Sequence, residues 1–460
     1  MQARFTGHPL IDAGLAAVTV MAGRERPEDL SFDDCRSVAD WLLSRLYTAY
    51  DAHTDLYTQG PFKSYLVWLF PNSKWTTSSV SKDPRKASAS LYDYAQDTLY
   101  AFAAEADPGA AACSFCGNPA VMRATRAQIP LLSGEFPNFS PQGVAGVPIC
   151  GMCLLAVHAL PLAGIATTGR RLMIMHSGDP DLLMGMARHA VKYNQGAMQM
   201  GRLGDEKLPY PRTRLVRMLR EIESRQRGIL RGAVTLYWLT NDNRKADLGI
   251  HRLTSPVLAF LREVEHSYDR ERHTAWQRAI SRAWKSGAQD SPVDEEADRN
   301  NLYEDLYKLP AGAASFLRQH ILPVRSWSLT ACFVRKVMGM DDDLLNLLYD
   351  LGTRFAAYAR EKRSFYFEFI RETHYATWRR RLLGAADDWQ RRGRVLISAE
   401  EFVQAFVAAP HAEFFDWRLA RDIVALRMIE ELARSGDITP EEDPLLVDDE
   451  DDDTVDREEN

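Results

Sequence analysis

Four of the six cysteines fall into two C-x-x-C pairs, Cys113 with Cys116 and Cys150 with Cys153, while Cys35 and Cys332 stand alone. Two residues between thiolates let a tight knuckle present both sulfurs to one ion, and two knuckles complete the tetrahedral four-thiolate shell that zinc prefers. Gly117 follows the first pair and Gly151 lies inside the second, as expected of turns that aim backbone amides at sulfur. The stretch between Cys116 and Cys150 exceeds the usual ribbon spacing, so an elaborated loop is expected between the knuckles. Two disulfides or a redox C-x-x-C would use the same residues. The first is disfavoured in a reducing compartment, and the second needs no second pair. Cys113, Cys116, Cys150 and Cys153 therefore read as ligands of a structural Zn2+, whose closed shell leaves no position for activating water. Cys35 and Cys332 lie in amphipathic segments and read as small core residues.

No other local pattern carries catalysis. The phosphate-binding-loop signature, G-x-G-x-x-G, H-E-x-x-H, G-x-S-x-G and a His-Asp doublet are all absent from the sequence. Single histidines such as His8, His158 and His176 read as core or capping residues, and no catalytic residue is assigned.

Cationic residues form three groups that suit phosphate. Between Phe70 and Lys86 runs a stretch of hydroxyls, cations and one Trp flanked by prolines, a loop by composition. Asn72, Lys74, Lys82 and Arg85 in it are of the types that read base edges or touch phosphates. Arg214, Arg217 and Arg220 recur near a helical period, so one face could track a nucleic-acid backbone. Arg379, Arg380, Arg381, Arg391 and Arg392 are the third group, with arginine strongly favoured over lysine. The bland alternatives are an exposed loop and two solvated helix faces.

The elements that must position these residues follow from length and pattern. A chain of 460 residues is about three domains' worth at roughly 150 residues each. Its 46% apolar and 26% charged residues exclude fibrous and wholly disordered classes. The net charge of -7 hides a block at 441–460, twelve acids against Arg457 alone, which reads as a disordered tail on a mildly basic body. The apolar stretches Ala13 to Gly23 and Leu154 to Ala166 are too short to span a bilayer. With no secretory cleavage pattern after Asp12, a cytoplasmic protein with no membrane partner is expected. Leu42 to Tyr50 and Leu91 to Glu105 have helical spacing, Ala233 to Thr240 reads as a strand, and Asp290 to Asn301 as a surface linker. Beyond Ser326, helices are expected over Leu344 to Arg360, Ser364 to Leu383 and Phe414 to Arg434, with Ser398 and Glu401 forming a capping box. The fold class read from this is α+β. A largely helical N-terminal region (1–325) carries an inserted four-cysteine zinc ribbon (about 110–156), a helical bundle follows (326–440), and the acidic tail closes the chain (441–460).

Several segments together resemble a known family. The opening Phe5-Thr6-Gly7-His8-Pro9-Leu10-Ile11-Asp12-Ala13-Gly14 is similar to the start of the CXXC-CXXC large subunits of type I-B CRISPR Cascade complexes, where Asn commonly stands in place of His8. The likeness extends to Phe70-Pro71-Asn72-Ser73, to both cysteine pairs, to Leu236-Tyr237-Trp238-Leu239-Thr240-Asn241, and to Leu302-Tyr303 with Leu306-Tyr307-Lys308-Leu309. It covers most of the chain, which is short for the family. The resemblance implies a non-catalytic DNA-recognition subunit that inspects duplex DNA for the protospacer-adjacent motif, helps open it and holds the displaced single strand, while crRNA pairing reads the sequence. Its implied partners are crRNA, target double-stranded DNA, the backbone, 5′-handle-binding and small subunits, and a recruited helicase-nuclease or other effector. It also implies that an internal start at Met338 or Met340 could yield the C-terminal bundle as a separate small subunit. The residues alone leave room for a free-standing zinc-ribbon nucleic-acid-binding regulator and for an enzyme whose site is dispersed in sequence.

Overall fold

A histidine starts the fold. His8 precedes helix α1 (Pro9–Met21), its Nδ1 accepting from the Ile11 amide while Pro9 supplies a preset first turn. In α1 the residues from Leu10 to Thr19 are all buried, so this is a central helix rather than an amphipathic one. The computed structural model describes residues 3–60, 63–77, 83–107, 109–132, 143–200, 208–243, 246–266, 268–285, 293–295, 298–407 and 416–437. The chain divides into two compact units, Met1–Leu258 with Ser286–Arg299, and Ala259–Lys285 with Asn300–Asn460.

In the first unit α1 is followed by α2 (Phe32–Trp41), capped reciprocally by Ser31 and Asp34. The expected helix Leu42 to Tyr50 is only half realised. A π-helical turn over Leu42–Tyr47 gives way to strand β1 (Thr48–Asp51), which pairs antiparallel with β2 (Leu56–Gln59). The supposed loop after Phe70 is partly helical too. Between α3 (Lys63–Leu69) and α5 (Pro84–Thr98) lies a single turn α4 (Lys74–Thr77), because the buried Trp75 anchors it against the Tyr47 and Tyr94 rings, at 4.4 and 5.1 Å. Strands β3 (Met122–Ala124) and β4 (Val147–Ile149) form the ribbon, and β4 leads into α6 (Gly151–His158) and α7 (Leu160–Ala163). Next comes an antiparallel sheet of β5 (Ile165–Thr167), β6 (Arg171–Ser177), β7 (Val234–Thr240) and β8 (Asp247–Leu253) in that spatial order. Ile174 faces Tyr237, which faces Ile250. Helices α8 (Pro180–Gln199) and α9 (Pro211–Arg225) connect β6 to β7. The strand expected at Ala233 to Thr240 is β7.

The second unit is helical: α10 (Ser255–Glu265) at the chain's division, α11 (Arg270–Arg282), α12 (Asn301–Asp305), α13 (Ala313–Phe316), α14 (Trp327–Lys336), α15 (Asp342–Glu361), α16 (Arg363–Arg371), α17 (Tyr375–Arg391), α18 (Ala399–Phe406) and α19 (Trp417–Arg434). The division therefore falls well before residue 325. Residues 300–325 belong with the bundle because Arg318 pairs with the buried Asp422 of α19 at 2.8 Å and Phe316 stacks on Phe333 at 5.2 Å. Asn300, at the end of the expected linker, is buried and caps α12 by accepting from the Tyr303 amide. The capping box of Ser398 and Glu401 opens α18 as expected. The helix expected over Ser364 to Leu383 instead breaks into α16 and α17, since Glu372 and His374 are extended and Arg421 takes the Glu372 carbonyl at 2.6 Å. Residues 438–440 and the acidic tail 441–460 lie outside the described residues.

Candidate metal centre and nucleic-acid interface

The two cysteine pairs converge. The four sulfurs lie within 4.8 Å of one another, with Cys116 Sγ and Cys150 Sγ 3.4 Å apart, and all but the half-exposed Cys116 are buried. The first knuckle is a turn in which the Gly117 amide donates to the Cys113 carbonyl. Gly117 sits at φ +81°, where a side chain would be strained. The second pair is built differently, because Cys150 is the N-cap of α6 and Cys153 lies in its first turn, where unpaired helical amides favour thiolate. Gly151 is thus not a turn glycine. A Cβ there would lie 2.1 Å from the Ala101 carbonyl oxygen, so its role is close backbone approach. The β3–β4 pairing and the Ser114 amide, which donates to the Pro148 carbonyl at 3.0 Å, lock the knuckles together. The inserted loop is described up to residue 132 and from 143.

Crowding governs the charge of the cluster. Donation from the Cys150 and Cys153 thiols holds Cys113 well below the usual thiol range, while donating to Cys113 pushes Cys150 up to about 12 and Cys153 higher still. Four sulfurs gathered this closely are what a thiophilic cation stabilises, and this cluster can hold a metal ion. By contrast Cys35 and Cys332 are buried singly, and burial pushes each thiol up to about 11, as core residues should behave.

Segments distant in sequence close around this centre. Arg4 donates to the Cys116 carbonyl at 3.4 Å, and the His8 ring meets Phe115 edge-on at 4.9 Å. Gly14 of α1 lies against α6 so tightly that a Cβ would fall 1.8 Å from the Ala156 carbonyl oxygen. The buried Asp12 carboxylate accepts from the Thr6 amide and hydroxyl at 2.7 and 2.8 Å, the Gly7 amide at 2.8 Å, and His176 Nε2 at 3.3 Å. Burial pushes Asp12 up, and these bonds outweigh it, leaving the carboxyl below its ordinary value. Phe70 stacks flat on His158 of α6 at 5.0 Å. At the end of β7, the Asn241 amide donates to the Trp68 carbonyl at 2.6 Å and its side chain to the Leu69 carbonyl at 2.8 Å. Arg126, beyond β3, donates to the Asn241 side-chain and main-chain oxygens at 2.9 and 3.0 Å. Sequence reasoning did not pick out Arg126, which no local pattern marks.

The cationic residues fare unevenly. Asn72, Lys74 and Arg85 are exposed, Asn72 accepting from Asn243 at 2.9 Å and Arg85 lying in the first turn of α5. Lys82 lies outside the described residues. Arg214, Arg217 and Arg220 on α9 are half-buried rather than lined along a free face, with Arg214 over the Tyr193 ring and Arg217 paired with Glu295 at 3.4 Å. In the bundle, Arg381 pairs with Glu372 at 3.5 Å, Arg391 with Asp387 at 2.6 Å, and Arg392 with Glu361 at 2.7 Å and Asp388 at 3.1 Å. Arg379 and Arg380 are exposed with no carboxylate partner among the described residues. Arg427, which sequence reasoning passed over, is buried against the Tyr349 ring and pairs with Glu430 and Glu431.

Among the described residues no helix is long and apolar enough to cross a membrane. Comparison with family models, curated proteins and solved structures gave no match.

Proposed function

We propose that this chain is the non-catalytic large subunit of a type I-B CRISPR RNA-guided surveillance complex. In this role it recognises the protospacer-adjacent motif in duplex DNA, aids unwinding, stabilises the R-loop and recruits the effector for antiviral defence. One observation carries the reading. Of the segments that resemble the family, those in the first unit, Phe5 to Gly14, Phe70 to Ser73, both cysteine pairs and Leu236 to Asn241, are spread over more than half the chain yet meet through Gly14, His158, Arg126 and Asn241. A shared structural job for those four is what descent from a common scaffold would leave. The cysteine cluster holds Zn2+, which supplies no chemistry beyond clamping the ribbon to α6. The exposed Asn72, Lys74 and Arg85 inspect DNA, as does Lys82, which lies outside the described residues, and Arg379 and Arg380 are best placed to meet the displaced strand. The protein works in the cytoplasm with crRNA and the backbone, 5′-handle-binding and small subunits.

The test is binding of the assembled complex to motif-bearing and motif-free duplexes. Asn72→Ala with Lys74→Ala, Lys82→Ala and Arg85→Ala is expected to weaken motif-bearing duplex by about 1–3 kcal/mol per lost base contact and to narrow the preference for the motif. Normal binding and preference in the quadruple variant would remove this loop from the account.

A further inference from the structure

Between α17 and α18 of the second unit lies an open cleft of about 640 Å³. Leu383, Phe402, Val403 and Val407 form its apolar floor, and Leu383, Val403 and Val407 are 44%, 46% and 60% exposed, unusual for apolar side chains grouped in one place. Arg379 stands at one end. The one acid in the lining, Asp387, is neutralised by Arg391.

We infer that the C-terminal tail of this same chain occupies the cleft, with Leu445, Leu446 and Val447 on the apolar floor and the acids from Asp448 to Asp453 at Arg379 and Arg380. Three observations fit this occupant. The tail contains a single apolar cluster, Leu445-Leu446-Val447, followed at once by six consecutive acids, the order of surface the cleft presents. The last described residue, Asp437, is held by Arg360 at 3.0 Å. Its neighbour Glu361 holds Arg392 and Arg394 just past α17, so the chain leaves the bundle beside the Gln390 end of the cleft. The lengths also agree. From Gln390 to Arg379 the helix rises about 17 Å, while residues 438–447 can span up to about 35 Å when extended. Tethering then supplies an effective concentration on the order of millimolar, enough for a small contact. Resting on the strand-binding role proposed for Arg379 and Arg380, the docked tail would be an internal competitor for phosphate.

Hydrogen exchange of the full chain tests the docking without reference to DNA. Truncation after Asp437, and separately Leu445→Asp with Leu446→Asp in the full chain, are each expected to speed exchange about tenfold in α17 and α18 and leave α1 and α6 unchanged. Arg379→Glu with Arg380→Glu should do the same. Unaltered exchange in the tail variants would overturn the inference. So would protection that follows Phe414→Ser with Phe415→Ser instead of the tail, or that vanishes on dilution together with a dimeric mass, because the occupant would then be residues 408–415 or a second copy.

Discussion

The ribbon in the first unit and the arginine-rich bundle in the second both announce themselves by residue type, yet the fold gathers the side chains of one and disperses those of the other among separate partners. Four cysteines with two-residue spacings must share one geometric demand, and the fold brings all four sulfurs within 4.8 Å. Arginines face no such demand. Arg391, Arg392 and Arg394 are taken up by Asp387, Asp388 and Glu361, and Arg427 is drawn into the core, leaving Arg379 and Arg380 without a carboxylate among the described residues. Spacing that satisfies a stoichiometry is thus stronger evidence of a site than a run of like charge, whose members can each be neutralised separately.

Breaking the ribbon should have the largest effect. Cys113→Ser, or chelation, is expected to remove a contribution on the order of 10 kcal/mol to local folding, seen as loss of one bound zinc and rapid proteolysis between β3 and α6. A metal-free chain with native resistance would equate the ribbon with an ordinary hairpin. In the bundle the counterpart is Arg427→Ala, which leaves the half-buried Glu430 and Glu431 beside an empty position. A loss of about 3–5 kcal/mol in denaturant unfolding of the second unit is expected, whereas a neutral result would show that the buried guanidinium adds nothing net to the bundle.

Gly14→Ala sharpens the contrast from the backbone side. Its Cβ meets the Ala156 carbonyl, so a cost of about 3 kcal/mol is expected, with α6 and the cysteines displaced and zinc held more weakly. Unchanged thermal stability and zinc affinity would show that α1 does not brace the ribbon.

His158 gives the ribbon side a pH signature. It is fully buried among Phe70, Tyr47 and Tyr94, Nδ1 meets the Leu154 carbonyl at 2.9 Å, Nε2 has no partner among the described residues, and burial pulls it down to about 4. The unfolded chain takes up a proton near 6.5 and the folded chain only near 4, so stability is complete above 6.5 and lost as pH falls between these values, by about 3 kcal/mol. His158→Phe should flatten that stretch of the profile by the same amount, while any acid loss from the cysteines stays common to both proteins. Superimposable profiles would show that His158 does not titrate differently in the two states.

The smallest effect belongs to surface charge. Arg379→Ala with Arg380→Ala is expected to weaken single-stranded DNA binding and lower the salt slope by about 0.7 per lost phosphate contact. Arg391→Ala with Arg392→Ala should change it less, because those guanidinium groups already hold carboxylates. Equal effects would erase the distinction between arginines that hold a carboxylate among the described residues and those that do not.

Much of the ribbon was legible because C-x-x-C spacing and the glycine after Cys116 are local rules with local causes, as is the capping box at Ser398 in the bundle. The strand at β7 was legible from its β-branched and aromatic residues. The four-stranded sheet around it was not, since β6 and β8 carry Met, His and Gly where strand composition would want branched residues. Nor were the break between α16 and α17, which depends on Arg421 from a helix far along the chain, and the place where the bundle begins, which depends on Arg318 finding Asp422. Gly151 shows the same limit within the site: its presence was visible, but the reason for it lies in the Ala101 backbone.

The central claim is tested most directly by recovering the tagged chain from its native cell and identifying what comes with it. The account predicts a repeat-backbone subunit, a 5′-handle-binding subunit and short RNAs sharing one 5′ handle, in fixed proportion to one zinc per chain. Recovery of the zinc-loaded chain without RNA or companion subunits, bound to DNA alone, would contradict it and identify a free-standing regulator.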